Sequence, residues 1–351
     1  MKRELLTLVL ISSPLLATES LAEAIEGISH TGQLRLGAIR TEDAQGDQAS
    51  TVTLGGSVTL ETQPIEGISM AGSFFTTNAL FGKREVGMFL GSSHQSYSII
   101  GESYLKVNAG NTLIKAGRQI IDTPYADSDD IGMIPNTFEG YSLINQDLSD
   151  TTLVLAWLDK WSGVDAPIPE TFNEIQASGD AVVSGGIIYE GIENTTLEAW
   201  HYALDDADYN YAQVDYEANT FNMGLQYTDQ DHDNTAYGLS LGGSVDNLSL
   251  GFAYNKVNGT VTNGFGGGPF FTSSEDHTIA EVQDQEAMRY EANYVMDRLS
   301  LAVSHLDLDI GENETDYLAS FEINPNHSLD LIYSDMYDDG NMVRFFANYQ
   351  F

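Results

Sequence analysis

The chain has 351 residues, in which 14 Lys and Arg oppose 52 Asp and Glu, so its formal net charge is −38 at pH 7. Such an acidic chain lacks the basic face that phosphate contacts require, which excludes a nucleic-acid-binding protein. The absence of cysteine excludes disulfide scaffolds, thiolate zinc sites, iron–sulfur clusters and cysteine nucleophiles. The 18 Tyr, 15 Phe and 3 Trp argue against intrinsic disorder.

The first residues have the pattern of a secretory signal peptide. Lys2 and Arg3 form a short basic segment, residues 5–17 are mostly apolar, and small residues follow at 20–22 and 22–24. A helix at the start of a domain is the alternative, but Pro14 in the middle of the apolar segment argues against it. We therefore expect residues 1–24 to be a signal peptide and residues 25–351 to form the exported protein.

Alternation of apolar and polar residues dominates the remaining sequence and indicates β-strands. In residues 51–61, for example, Leu54 lies on the apolar face and Thr53 on the polar face. A soluble β-sandwich or β-helix would also alternate, but these strands offer no second apolar face to complete a packed core. The polar face must therefore meet water, and a large barrel can enclose water. The same alternation recurs over residues 33–38, 68–75, 97–107, 221–228, 237–243, 248–254, 288–296, 315–323 and 343–351.

The connections between these strands alternate strictly between short turns and a second, generally longer set of acidic or glycine-rich loops. This pattern predicts an all-β fold, a transmembrane antiparallel up-and-down β-barrel of about eighteen strands in the bacterial outer membrane. Its short turns would face the periplasm, and its surface would contact outer-membrane lipid and lipopolysaccharide. The most extended loops cover residues 41–50, 78–96, 120–137, 159–179 and 257–284.

Three sequence segments carry a resemblance to a known family. Residues 116–119 (AGRQ), 121–124 (IDTP) and 134–140 (IPNTFEG) resemble the stretch around the constriction loop of OprD-type porins. Residues 197–202 with 209–216, and residues 267–273, are similar to further segments of that family. The resemblance implies an eighteen-stranded channel for passive diffusion, with residues 120–137 folded inward as its constriction loop.

Charged residues in this loop and on the polar strand faces are the candidate pore lining. The resemblance implies basic residues on the barrel wall opposite an acidic constriction loop. The alternation along the strands, taken by itself, directs four basic and seven acidic side chains toward the lumen. Arg118 falls on the outward side of its strand, so only a bulge or the strand end could turn it inward. The predicted constriction and lining residues are Asp122, Asp127, Asp129, Asp130, Arg118, Arg35, Lys115, Glu102, Arg289, Glu291 and Arg344.

The sequence predicts neither catalysis nor a cofactor. Asp127, Asp129 and Asp130 have part of a calcium-loop pattern, but Ile131 occupies a ligand position, so a solvated acidic lining is favoured over a Ca²⁺ site. The predicted function is a porin for small hydrophilic solutes and ions, with a preference for cations. A substrate-specific channel of the same fold is the first alternative. An adhesin or a barrel enzyme using His201 or His305 is the second, and a homotrimer is expected only by analogy with general porins.

Overall fold

The computed structural model describes residues 23–83, 86–231 and 233–351, and within them nineteen β-strands and a short 3₁₀ helix, Tyr337–Asp339, are present. All but the last two residues of the predicted signal peptide lie outside the described residues. In chain order the strands are β1 (Ser29–Glu42), β2 (Gln48–Glu61), β3 (Ile68–Lys83), β4 (Tyr97–Ala109), β5 (Thr112–Gln119), β6 (Thr137–Asn145), β7 (Thr151–Ser162), β8 (Asn173–Glu174), β9 (Val182–Ile192), β10 (Thr195–Ala203), β11 (Asp208–Ala218), β12 (Phe221–Gln230), β13 (Asn234–Val245), β14 (Leu248–Asn258), β15 (Glu286–Met296), β16 (Leu299–Leu308), β17 (Glu314–Asn324), β18 (His327–Asp335) and β19 (Asn341–Gln350).

Eighteen of these strands form one closed antiparallel barrel. Each pairs with its neighbour in the chain, and β1 also pairs with β19, which closes the sheet. The short strand β8 pairs only with β7 and belongs to a loop. The predicted all-β barrel of about eighteen strands is confirmed. In the described part of the chain no helix is long and apolar enough to cross a membrane.

Long loops fill one end of the barrel. We name three of them by their order along that rim: L3 (residues 120–136), L4 (163–181) and L7 (259–285). The three clusters of buried apolar residues form where these loops, together with residues 86–96, pack against the inner wall. The packed core therefore lies at the loop rim. The lumen near the turn rim stays open, because a barrel of this size encloses water where no loop fills it.

The two faces of β2 differ as the alternation predicts. Leu54 is 38% exposed on the outer face, whereas Thr53 is 0% exposed on the inner face. Thr53 is covered because Met133 of L3 lies beside it against the backbone of Gly37. Ser57, nearer the turn rim on the same inner face, is partly exposed.

Arginine at Leu54 should destabilise the barrel far more than arginine at Ser57. A basic side chain on the outer face near the membrane midplane costs about 2–4 kcal/mol, whereas the Ser57 side chain points into the open lumen. We expect Leu54→Arg to lower the urea midpoint for unfolding from lipid vesicles and Ser57→Arg to leave it nearly unchanged. Equal losses of stability would contradict the assignment of the two faces.

Candidate constriction and pore lining

L3 leaves the wall early and enters the lumen. Strand β5 has only 8 residues and ends at Gln119, whose side-chain oxygen accepts a hydrogen bond from Ser142 Oγ at 2.6 Å. The buried Glu102 carboxylate accepts hydrogen bonds from Ser73 Oγ at 2.5 Å and from the Ile120 amide at 3.4 Å. Glu102 therefore fixes the first residue of L3 rather than lining the open pore.

Tyr125 anchors L3 to the far wall of the barrel. Its ring is 0% exposed and packs edge-on against Tyr202, Tyr209 and Tyr211 of β10 and β11, with centroids 5.4 to 6.1 Å away. Its hydroxyl lies 2.5 Å from Thr228 Oγ1 on β12. Because L3 starts at β5 and is held at β10–β12, it crosses the lumen.

Arg35 on β1 holds the second half of L3. Its guanidinium makes two hydrogen bonds to the Asp130 carboxylate, at 2.8 and 2.9 Å, and donates to the Gly132 carbonyl at 2.5 Å. The Nε donates to Asn348 Oδ1 at 2.9 Å. Arg35 is only 8% exposed, so this predicted pore-lining base is used to fix the loop.

L7 also folds into the lumen and contacts L3 directly. Ala126 and Phe265 form a parallel β-bridge, and the Asp127 carboxylate accepts hydrogen bonds from the amides of Gly267 and Gly268 at 3.2 and 3.3 Å. The glycine at 266 has a φ of +146°, and a Cβ there would meet the Asp127 carboxylate at 2.5 Å. The glycine-rich segment of L7 therefore permits close packing of the two loops.

Arg344 fastens L7 to the wall at β19. Its side chain is 1% exposed and its Nη2 lies 3.1 Å from Glu275 Oε2 and 3.2 Å from Asp276 Oδ2. The same nitrogen donates to Ser334 Oγ at 3.3 Å. Burial raises the pKa of Glu275, although the Arg344 charge opposes the shift. Arg344 points inward, but L7 covers it and separates it from the pore.

An acidic recess remains open between L3, L7 and the wall. It has a volume of about 430 Å³, and Asp122, Asp127, Glu198, Trp200 and Tyr211 contribute to its lining. Glu198 Oε2 accepts a hydrogen bond from the Trp200 indole at 2.7 Å. No basic side chain belongs to this lining among the described residues. The recess therefore presents carboxylates without a facing positive charge.

The other predicted lumenal charges lie outside the acidic recess. Lys115 Nζ lies 4.7 Å from the centre of the Tyr104 ring. Arg289 and Glu291 pair with each other, with nitrogen and oxygen 3.1 Å apart, in an open cavity of about 350 Å³. These groups do not join the acidic recess, since none of them lines it.

Arg118 lies on the outer surface, which corrects its place among the predicted pore-lining residues. Its Nε lies 2.8 Å from Glu139 Oε2, and its guanidinium lies 4.1 Å from the centre of the Phe172 ring of L4. The exposed Tyr141 and Trp157 border the same pocket. The β4–β5 and β5–β6 ladders run without a register shift at this position, so no bulge turns Arg118 inward.

The three carboxylates of the calcium-loop pattern have different partners. Asp130 pairs with Arg35 and Asp127 accepts L7 amides. Burial and the neighbouring Asp165 carboxylate raise the pKa of Asp129 to about 8. Among the described residues, the acidic or histidine side chains with ligand atoms close enough to share a metal ion lie elsewhere, in L7 and β17. The structure therefore does not assemble the Ca²⁺ site that the sequence left open at this loop.

The chain resembles known outer-membrane channels in sequence and in fold. A family model described as outer membrane porin, OprD family, matches residues 82–310, and no curated protein matches significantly. OccK8 (OprE) of Pseudomonas aeruginosa is 16% identical, with a TM-score of 0.80 over 93% of this chain and 98% of that one. OpdK of the same organism, solved with vanillate, is 15% identical, with a TM-score of 0.80 over 93% and 99%. A BenF-like porin from Pseudomonas fluorescens Pf-5 is 15% identical, with a TM-score of 0.81 over 93% of this chain and 99% of that one.

Since the family model spans well over half of the chain, the protein belongs to the OprD family of outer membrane porins, and its barrel lies in the bacterial outer membrane.

Proposed function

We propose that this porin lets small hydrophilic solutes and ions diffuse passively across the outer membrane, prefers cations, and catalyses no reaction. The observation that carries the charge preference is the acidic recess beside the constriction. Carboxylates that ring a narrow passage concentrate cations and repel anions. The lumenal arginines do not oppose this field, because Arg35, Arg289 and Arg344 are each paired with a carboxylate.

The placement of two histidines supports a channel over a barrel enzyme. His201 adjoins the inward-facing Trp200 and Tyr202 and therefore points outward, where its Nδ1 lies 2.9 Å from Asn210 Oδ1. His305 lies between the buried Ser304 and Leu306 and likewise points outward, with Nδ1 2.9 Å from Thr315 Oγ1. Neither imidazole can act as a base inside the lumen.

Reversal potentials in a KCl gradient across planar bilayers test the cation preference. We expect a cation-selective sign that persists at 1 M salt, where the Debye length is only about 3 Å and charges on exposed loops are screened. Asp122→Asn combined with Glu198→Gln should remove most of the preference. The matched control is Asp206→Asn, which removes an exposed charge on another loop. An anion-selective sign in the unmodified protein would contradict the proposal.

The preference should also increase with pH through the titration of Asp129. Its pKa of about 8 means that the carboxyl is mostly neutral at pH 7 and mostly charged at pH 9. The added negative charge lies near Asp165, Asp127 and Asp130, whose charges add to the effect of burial in raising this pKa. We expect cation selectivity to rise between pH 7 and 9, and Asp129→Asn to remove that rise. An unchanged rise in the variant would assign the titration to another group.

A substrate-specific channel is the second candidate, and the aromatic lining of the recess favours it. Trp200 and Tyr211 border the recess together with the carboxylates, which suits a small organic cation because aromatic faces attract cations. Such a solute at millimolar concentration should reduce the K⁺ current measurably. Trp200→Leu should relieve that block and leave the selectivity between K⁺ and Cl⁻ unchanged. Equal block in both proteins would favour the general porin.

A further inference from the structure

A cluster of three carboxylates lies where L7 meets the barrel wall. It consists of Asp276 in L7 and of Glu314 and Asp316 at the start of β17, and one oxygen from each lies within 4.8 Å of the others. Glu314 and Asp316 are both 0% exposed, and the Asp276 side chain is 9% exposed. The cluster is separate from the acidic recess, since none of its members lines that cavity.

Most oxygens around the cluster already have hydrogen-bond donors. The Glu314 carboxylate accepts from the amides of Asp276 and His277 at 3.0 and 2.7 Å. Asp316 Oδ2 accepts from Ser274 Oγ at 2.5 Å and from Ser304 Oγ at 3.1 Å. Most of these donors belong to L7, so the hydrogen bonds hold L7 against the Glu314 and Asp316 carboxylates of β17.

Asp316 Oδ1 is the exception, because it is buried and has no hydrogen-bond partner. A buried charged oxygen without a partner is strongly unfavourable. Arg344 does not relieve it, since its ion pairs are with Glu275 and Asp276. Four carboxylates thus lie together around one arginine. On the side of Glu314 and Asp316 the His277 imidazole, with Nδ1 3.4 Å from Glu314 Oε2, is the nearest group that can carry a positive charge, and it pairs with Glu314 and not with Asp316.

We propose that Asp276, Glu314 and Asp316 bind one Ca²⁺ ion, which fastens L7 to the barrel wall. Ca²⁺ binds oxygen ligands at about 2.3–2.6 Å in flexible geometry, so two ligand oxygens can lie up to about 5 Å apart. The spacing of up to 4.8 Å meets that limit. Mg²⁺ binds at about 2.0–2.1 Å, requires near-ideal octahedral geometry and keeps several of its waters, which suits a buried set of carboxylates already fixed by other hydrogen bonds less well.

Calorimetric titration of the chelator-treated full-length porin in detergent with CaCl₂ tests the proposal. We expect one saturable site per chain whose affinity falls at least tenfold in Asp316→Asn, a variant that keeps the shape of the side chain. Asp206→Asn removes one exposed acid elsewhere on the loop rim and should bind as the unmodified protein does. If Asp316→Asn does not fold, Asp276→Asn serves in its place, because Asp276 lies in the loop and not in a strand.

Three results would overturn the assignment. Absence of a saturable site would indicate that Glu314 and Asp316 share a proton instead of a cation. Binding that is unchanged in both Asp316→Asn and Asp276→Asn would place the ion elsewhere. Mg²⁺ binding as tightly as Ca²⁺ at the same site would contradict the choice of ion. None of these results bears on ion selectivity, so the proposed function is tested separately.

Discussion

The single-channel conductance should rise when Tyr125 is replaced by Ala. The substitution removes a fully buried ring that packs against three tyrosines of the far wall, and it removes the hydroxyl contact with Thr228. Replacing a buried aromatic side chain by Ala costs about 3–5 kcal/mol. L3 is joined to the barrel at both ends, so this loss should appear as local release of the loop rather than as global unfolding. A released L3 would widen the passage.

Two further variants separate the effects of packing from those of the hydroxyl. Tyr125→Phe keeps the ring and loses one hydrogen bond, which is worth about 0.5–1.5 kcal/mol, so its conductance should lie close to that of the unmodified protein. Tyr141→Ala removes an aromatic side chain that is 58% exposed on the outer face, and it should leave the conductance unchanged. Identical conductance in Tyr125→Ala and the unmodified protein would show that this anchor does not control the pore.

The barrel and the position of its third loop could be predicted from sequence because both depend on local patterns. Alternation with period two decides which side of a strand faces lipid, and a slip of one residue would exchange the faces. That rule placed Leu54 outward and Thr53 inward, as observed. It also placed Arg118 outward, although the same residue was included in the predicted pore lining. The structure confirms the outward position and contradicts the pore-lining role. The length of the segment at 120–137 set it apart from an ordinary hairpin connection.

The partners of the lumenal charges could not be predicted in the same way. Alternation shows that Arg35 and Arg344 point inward, but it does not show which loops they contact. Arg35 pairs with Asp130 of L3, 95 residues away in the chain, and Arg344 pairs with Glu275 of L7, 69 residues away. Such pairs depend on the paths of L3 and L7 across the lumen. The signal that could have indicated the path of L7 is its combination of length and glycine, because Gly264 and Gly266 permit backbone contact with L3. Without knowledge of those paths, the alternation alone assigns every inward base to the open pore lining.

Replacing Arg344 by Met should release L7 from the wall and make the open-channel current noisy. The methionine side chain is of similar length but has no charge. Asp276, which is 9% exposed, and Glu275, which is 26% exposed, would then lose their arginine. Removing one partner of a buried ion pair costs about 3–5 kcal/mol. Recordings should use chelator-containing buffer, since a divalent cation at the neighbouring carboxylates would compensate for part of the lost charge.

Arg289→Met is the matched control for this substitution. Its partner Glu291 lies 3.1 Å away on the same strand, and both side chains are partly exposed, at 27% and 41%. Exposed pairs of this kind contribute only about 0–1 kcal/mol, and neither residue contacts L7 through this pair. Current noise should therefore rise in Arg344→Met and not in Arg289→Met, and the addition of Glu275→Gln to Arg344→Met should reduce it again. Equal noise in the two single variants would mean that lost lumenal charge, and not the release of L7, disturbs the current.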